Sequence, residues 1–111
     1  MAGKFEIYKG KNGEFYFRLK AGNGEIILTS EGYKSKSSAK NGVASVQKNC
    51  GNDDCYEVKT AKNGATYFVL KAANRQEIGR SQMYKSADSC KKGMASVGRN
   101  GSSDKVVELE D

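Results

Sequence analysis

Short runs of alternating apolar and polar residues recur along the chain and predict half-buried β-strands. In one such run Phe15 and Phe17 alternate with Tyr16 and Arg18. Asn-Gly pairs stand between several of these runs and favour the tight turns that join antiparallel strands. We therefore expect two three-stranded meanders, at about 5–9, 14–21 and 25–30 and at about 56–60, 65–72 and 76–81.

After each meander the apolar spacing changes to that of an amphipathic helix. The i, i+3, i+4, i+7 stripe consists of Ala39, Gly42, Val43 and Val46 in the first case and of Cys90, Gly93, Met94 and Val97 in the second. Ser35 and Ser86 are the expected N-caps. Glycine inside a helix costs stability, so we interpret Gly42 and Gly93 as positions where a side chain would hold the helix off the sheet.

The two halves of this pattern are copies of each other. Residues 5–50 align without a gap with residues 56–101, with nearly half of the positions identical, and the same offset begins a third copy at Val107-Glu108-Leu109. The repeat predicts an α+β fold of tandem β-β-β-α units plus a closing C-terminal strand at about 106–109. We expect a single domain over 1–111, with one antiparallel sheet and both helices on one face.

Several of the repeated motifs resemble those of a known family. YFRLKAGNG and YFVLKAANR, the YKS before each helix, and NGVASV with KGMASV are similar to the YegP-like family of uncharacterised small bacterial proteins. The resemblance implies tandem β3-α-β units that share one sheet and exchange their C-terminal strands. It implies no established activity, so it assigns no catalytic residue.

Composition narrows the class of function. The chain has 111 residues, a formal charge of +6 and no histidine, which removes the commonest general base and most zinc sites. No apolar run is long enough to cross a membrane. Both repeats are basic, whereas residues 104–111 carry one Lys and four acids. We expect a cytoplasmic, monomeric, non-enzymatic protein without a cofactor or metal, and the basic charge favours an anionic partner.

The three cysteines leave several alternatives open. Cys50 and Cys55 are the first and last residues of the segment CGNDDC. This segment is either a polar connector with free thiols or a loop closed by a small redox-labile disulfide. A metal site is the third alternative, which tetrahedral zinc chemistry favours least. Cys90 takes the stripe position of Ala39 and is expected to be a buried small hydrophobe.

The helix-free face of the sheet is the main candidate binding surface. It should carry Tyr16, Arg18, Lys20, Tyr67 and Lys71, a combination of basic and aromatic side chains that single-stranded nucleic-acid binders use. An ordinary solvated face would carry the same residues. Protein partners are equally open, because Ile26, Leu28 and Val69 would make this face partly apolar. On either interpretation Glu6 and Glu57 should pair with Lys20 and Lys71 across the strands.

The two helix N-termini are a second candidate. Lys34-Ser35 and Lys85-Ser86 stand where free N–H groups and the helix dipole attract anions, although capping alone explains both serines. A small enzyme acting on an anionic metabolite at these positions is the alternative from another functional class.

Overall fold

The structure is a computed structural model that describes residues 3–72 and 74–109. Within these residues the elements are β1 (Lys4–Lys9), β2 (Phe15–Lys20), β3 (Ile26–Ser30), α1 (Lys36–Asn49), β4 (Tyr56–Thr60), β5 (Thr66–Lys71), β6 (Glu77–Arg80), α2 (Ala87–Asn100) and β7 (Val106–Glu108). A short 3-10 turn, Asp53–Cys55, precedes β4. Of the predicted acidic tail, Glu110 and Asp111 lie outside the described residues.

All seven strands form one continuous sheet. Its order is β4-β5-β6-β3-β2-β1-β7, so that β3 and β6 meet at the centre and join the two repeats. The predicted strands are confirmed to within a residue at each end. The prediction of a purely antiparallel sheet was wrong, because β7 runs parallel to β1 and makes the sheet mixed. As expected, β7 does not pair with the strands that directly precede it in the chain.

Both helices pack on the same side of this sheet. Their stripes and the inward side chains of the strands form one core, in which Phe17, Val46, Phe68, Cys90 and Val97 are fully buried. Each helix also touches strands of the other repeat, since α1 contacts β5 and β6 and α2 contacts β2 and β3. Neither helix is long and apolar enough to pass through a bilayer, within the residues described.

The hairpin turns use positive φ where the Asn-Gly pairs predicted it. Gly13, Gly24 and Gly64 have φ between 84° and 88°. The turn after β5 has Arg75 at the position of Gly24, and its φ is 71°, a conformation that non-glycine residues rarely adopt. The repeat therefore keeps the turn geometry even where the glycine has been lost.

A tyrosine ring under each helix explains the two stripe glycines. Tyr33 and Tyr84, from the YKS motifs, stack on Phe17 and Phe68 at centroid distances of 6.2 and 6.4 Å. A Cβ on Gly42 would lie 2.6 Å from the Tyr33 hydroxyl, and Gly93 stands against Tyr84 in the same way. The interpretation of these residues as packing glycines is confirmed.

Gly93→Ala should destabilise the fold by about 1–3 kcal/mol, because the new methyl group would lie 2.6 Å from Cζ of Tyr84. Gly98→Ala is the matched control in the same helix. Its Cβ would meet only a carbonyl oxygen at 3.6 Å, so removing the glycine should stabilise the helix by about 0.5–1 kcal/mol. Urea unfolding of both variants measures the two effects, and equal effects would contradict the packing argument.

Residues 1–51 alone should not fold cooperatively. This half lacks β6 beside β3, the contact of α2 with β2 and β3, and the β7 cover of β1. A single meander with one helix buries too little apolar surface to offset its conformational entropy. Circular dichroism during heating should show no sigmoidal transition, and a cooperative melt from a monomer would contradict the prediction.

Candidate functional site

The helix-free side of the sheet, called here the open face, is defined by strand register. A row of directly paired residues crosses it from one edge of the sheet to the other: Glu57, Val69, Arg80, Thr29, Arg18, Glu6 and Val107. Their chain neighbours Phe68, Leu70, Phe17 and Leu19 point into the core. Alternation therefore assigns every second residue of each regular strand to the open face.

All five predicted binding residues lie on the open face: Tyr16, Arg18, Lys20, Tyr67 and Lys71. They are divided between β2 and β5, which are three strand spacings, about 14 Å, apart. Because three antiparallel steps reverse the strand direction, Tyr16 and Tyr67 lie toward opposite ends of the sheet. The open face thus has two basic patches, one for each repeat, and their role in binding stays a prediction.

Glu6 holds the first patch together. Its carboxylate lies 2.7 Å from Nε of Arg18, 3.2 Å from Nζ of Lys20 and 3.5 Å from Nζ of Lys4, and only 6% of its side chain is exposed. Burial raises the pKa of this carboxyl, but the hydrogen bonds and charges of Arg18 and Lys20 outweigh burial and hold the pKa below its usual value. The predicted Glu6–Lys20 pair is confirmed.

Two tyrosines complete this patch. Tyr8 and Tyr16 stack with centroids 5.7 Å apart, and the Arg18 guanidinium lies 4.8 Å from the centre of the Tyr8 ring. The Asn12 amide donates to the Tyr16 hydroxyl at 2.9 Å. Sequence reasoning missed Tyr8, although its alternation with Ile7 in β1 was the signal that could have found it.

The second patch repeats this chemistry on a more exposed site. Lys71 pairs with Glu57 at 2.7 Å, as predicted, but 48% of the Glu57 side chain is exposed. Arg80, which sequence reasoning missed, pairs with Glu77 at 3.2 Å and lies 5.6 Å from the ring centre of Tyr67. Its register beside Val69 could not be read without the strand order.

The apolar part of the open face is smaller than predicted. Leu28 is fully buried on the helix side, because the strand register shifts between Leu19 and Lys20 and aligns Leu28 with Leu19. Val69 does lie on the open face but is also fully buried. Only Ile26, opposite Lys20, is substantially exposed at 38%. Basic side chains therefore dominate the accessible part of the open face.

Glu108 does not share the position of Glu6 and Glu57. The parallel register aligns Glu108 with Ile7, so its side chain faces the helix layer and pairs with Lys36 at 3.0 Å and Lys40 at 3.1 Å. The repeat alignment treated the three glutamates as equivalent. This equivalence was wrong for Glu108. The repeat alignment makes Phe5 equivalent to Val107, whereas in the sheet Phe5 pairs with Val106, so the inward and outward positions of β7 are shifted by one residue.

The helix N-termini lie apart from the open face. Ser35 accepts a hydrogen bond from the Ser38 N–H at 3.1 Å and Ser86 accepts one from the Ser89 N–H at 3.2 Å, so both predicted caps are confirmed. Lys34 and Lys85 are exposed beside them. The first turn of α2 contains Asp88, whose charge opposes an anion there. Anion binding at these four residues stays a prediction.

The cysteines are unpaired thiols in the structure. Cys50, Cys55 and Cys90 are buried, and burial raises the pKa of Cys50 and Cys90. A raised pKa leaves less of the reactive thiolate at neutral pH. Cys90 occupies the core as predicted. The Cys50 carbonyl accepts a 2.6 Å hydrogen bond from the Tyr56 hydroxyl, which ties the connector to β4.

Known proteins share the two-repeat organisation of this chain or are similar to it over nearly its whole length. The family described as "Domain of unknown function (DUF1508)" matches twice, at residues 11–57 and 61–108, in agreement with the two repeats. The UPF0339 protein YegP of Escherichia coli K12 is 58% identical over 97% of this chain and 98% of its own length. A UPF0339 protein of Acinetobacter baylyi is 57% identical over 98% of both chains.

Two solved structures have the same fold. The solution NMR structure of E. coli YegP, titled a protein of unknown function, superposes with a TM-score of 0.92 at 56% identity, over 97% of this chain and 93% of that one. A UPF0339 protein from Shewanella oneidensis also gives a TM-score of 0.92, at 50% identity over 98% and 92% of the two chains. These relatives support the fold and assign no activity.

Glu6→Gln should lower the free energy of unfolding by about 2–3 kcal/mol at pH 7, because three cations would lose a buried counter-charge. Since the folded-state pKa of Glu6 is lowered, its contribution is present above the unfolded pKa and is lost as the pH falls. The difference from wild type should therefore shrink below about pH 4. Glu57→Gln, at the exposed equivalent position, should change stability by less than about 1 kcal/mol. Urea unfolding at several pH values measures both, and a pH-independent Glu6→Gln effect would contradict the ion-pair account.

Proposed function

The chain belongs to the DUF1508 family, and we propose that it is a small, non-enzymatic binding module whose open face engages an acidic macromolecular partner. The observation that carries this proposal is the charge of that face. Its basic residues are Lys4, Arg18, Lys20, Lys59, Lys71 and Arg80, against the three acids Glu6, Glu57 and Glu77. The net charge of +3 lies on a surface that neither helix covers.

Three cations of the open face are more exposed than the others. The Arg80 side chain is 49% exposed and those of Lys4 and Lys59 are each 40% exposed. Arg18 and Lys20 are about a quarter exposed, because they pack around Glu6. A partner with carboxylates spaced across several strands would meet preorganised side chains, whose ordering costs little entropy on binding.

Single-stranded nucleic acid is the second candidate, which the basic and aromatic composition of the face favours. Such binders stack bases on free aromatic rings. Here one side of the Tyr8 ring stacks on Tyr16, and Arg18 also lies against Tyr8. The Tyr16 ring also packs against the backbone at Gly10 and Gly32. Since these rings already have intramolecular contacts, a protein partner is favoured over nucleic acid.

The enzyme alternative has the least support. The chain has no histidine, and the helix N-termini at Lys34-Ser35 and Lys85-Ser86 use their serines as caps. A groove of about 670 Å³ lies between α1 and the β5–β6 hairpin and is lined by Glu31 and Glu77 among neutral side chains. The exposed Glu31 would repel an anionic metabolite in this groove.

Affinity capture from a native bacterial lysate tests the open face. The double variant Lys59→Glu/Arg80→Glu reverses two exposed cations of the open face, and the matched control Lys48→Glu/Lys92→Glu makes the same charge change on the helices. Wild type and control should capture the same protein, and the open-face variant should lose it. Thermal melting checks that all three chains are folded.

Nuclease treatment separates the two candidate partners. Capture that survives nuclease supports a protein partner. Capture that nuclease abolishes supports nucleic acid, and binding of a thymidine 15-mer should then weaken steeply between 50 and 200 mM salt. Equal capture by the open-face variant and the wild type would contradict the proposal.

A further inference from the structure

The two outer edges of the sheet differ. β7 covers the outer edge of β1, whereas no strand of residues 3–72 and 74–109 pairs with the outer edge of β4. The uncovered edge also exposes an apolar side chain, since Val58 is 51% exposed and its repeat equivalent Ile7 is 1% exposed. The second repeat therefore presents an edge that the first repeat keeps covered.

The main-chain groups of Val58 point away from the sheet. Opposite Val58, Phe68 donates its N–H to the Ser81 hydroxyl at 3.0 Å and accepts from the Ser81 N–H at 2.8 Å. Because Phe68 directs both groups toward Ser81, the antiparallel ladder directs the N–H and C=O of Val58 to the outer edge. The equivalent Ile7 carbonyl accepts a 2.8 Å hydrogen bond from the N–H of Leu109, directly after β7.

β7 demonstrates which side chains such an edge accepts. Val106 and Glu108 line a groove with Lys40 and Val43 of α1. The Glu108 carboxylate pairs with Lys36 at 3.0 Å and with Lys40 at 3.1 Å. An apolar residue followed two positions later by an acid thus fits between the β1 edge and the helix above it.

A matching groove of about 370 Å³ lies beside α2 at the β4 edge. Its helix residues are Lys91, Met94, Ala95 and Gly98, each 51 positions after a residue that lines the β7 groove. Lys91 is exposed and takes part in none of the ion pairs found among the described residues. Met94, in place of Val43, has a flexible side chain that adapts to a ligand.

The 3-10 turn before β4 limits the length of strand that fits. The N–H of Tyr56 donates to the carbonyl of Asp53, whereas that of Phe5, the equivalent residue, donates to Lys105 before β7 at 2.9 Å. An incoming strand can therefore use the main chain of Val58 but not the N–H of Tyr56. The edge accepts a strand of about three or four residues, similar in length to β7.

We propose that the β4 edge and the α2 groove form a docking site for an extended segment of a partner protein, which adds parallel to β4 as an eighth strand. The segment places an apolar residue against Met94 and, two residues later, an acidic residue beside Lys91. Strand addition gains affinity from main-chain hydrogen bonds and specificity from alternate side chains. The site lies at the edge of the sheet, so this proposal is independent of the function proposed for the open face.

A synthetic peptide Asp-Lys-Val-Val-Glu-Leu, the sequence of residues 104–109, is the probe. Titrated into the ¹⁵N-labelled full chain, it should shift the amides of residues 56–60 and those around Lys91. Lys91→Glu should weaken binding by about tenfold, and a peptide with Lys in place of its Glu should restore it. Lys92→Glu, the matched control on the exposed side of the same helix, should bind within about twofold of wild type. Val58→Lys, an exposed position whose change leaves the core intact, should abolish the shifts.

Several results would overturn the proposal. Shifts confined to residues 5–7 would mean that the peptide only exchanges with β7. Concentration-dependent shifts at 56–60 without peptide would mean that a second copy of this chain occupies the edge. Absence of saturable shifts, or unchanged binding by Val58→Lys, would exclude the site, and failure of the charge swap would remove the role of Lys91.

Discussion

The pairing of β3 with β6 at the centre of the sheet is the constraint on which the rest depends. Only two residue pairs make it, Thr29 with Arg80 and Ser30 with Gly79. Leu28 and Gly79 are equivalent in the two repeats, and a Cβ on Gly79 would lie 3.0 Å from Cγ of Leu28. Two leucines would thus collide where the repeats meet. The repeats depart from identity here because the symmetric arrangement leaves room for one side chain and not for two.

The same duplication produces unequal environments at the two edges. Glu6 and Glu57 occupy equivalent positions in the two repeats, and each pairs with the lysine of the following strand. Glu6 is nevertheless buried, whereas Glu57 is half exposed. The difference follows from β7, which lies beside β1 and places Val107 next to Glu6. Within the described residues, β7 covers the outer edge of β1 and no strand covers the outer edge of β4. The position of β7, which lies beside the first repeat and not the second, therefore gives equivalent residues of the two repeats different surroundings.

Local patterns predicted most of the fold, because alternation, Asn-Gly turns and the caps Ser35 and Ser86 each depend on a few neighbouring residues. Features set by strand order were not predictable. Glu108 faces the helix layer and Leu28 the core because of register between strands, and alignment of the repeats carries no information about register. The open face followed the same rule: alternation placed its residues on one side, whereas the separation of the two patches and the part played by Arg80 required the order of the seven strands.

Glu57 and Lys59 connect the two surfaces that this fold leaves uncovered, because their side chains lie on the open face and their strand is the free edge. A strand added at β4 would lie beside Glu57, in the same way as β7 lies beside Glu6. Covering Glu57 would desolvate it and strengthen its interaction with Lys71, since charges attract more strongly when water is excluded. Occupation of the edge would thus order the second basic patch as β7 already orders the first. An edge ligand and an open-face ligand would then bind cooperatively through this carboxylate, because each would meet side chains that the other had already fixed.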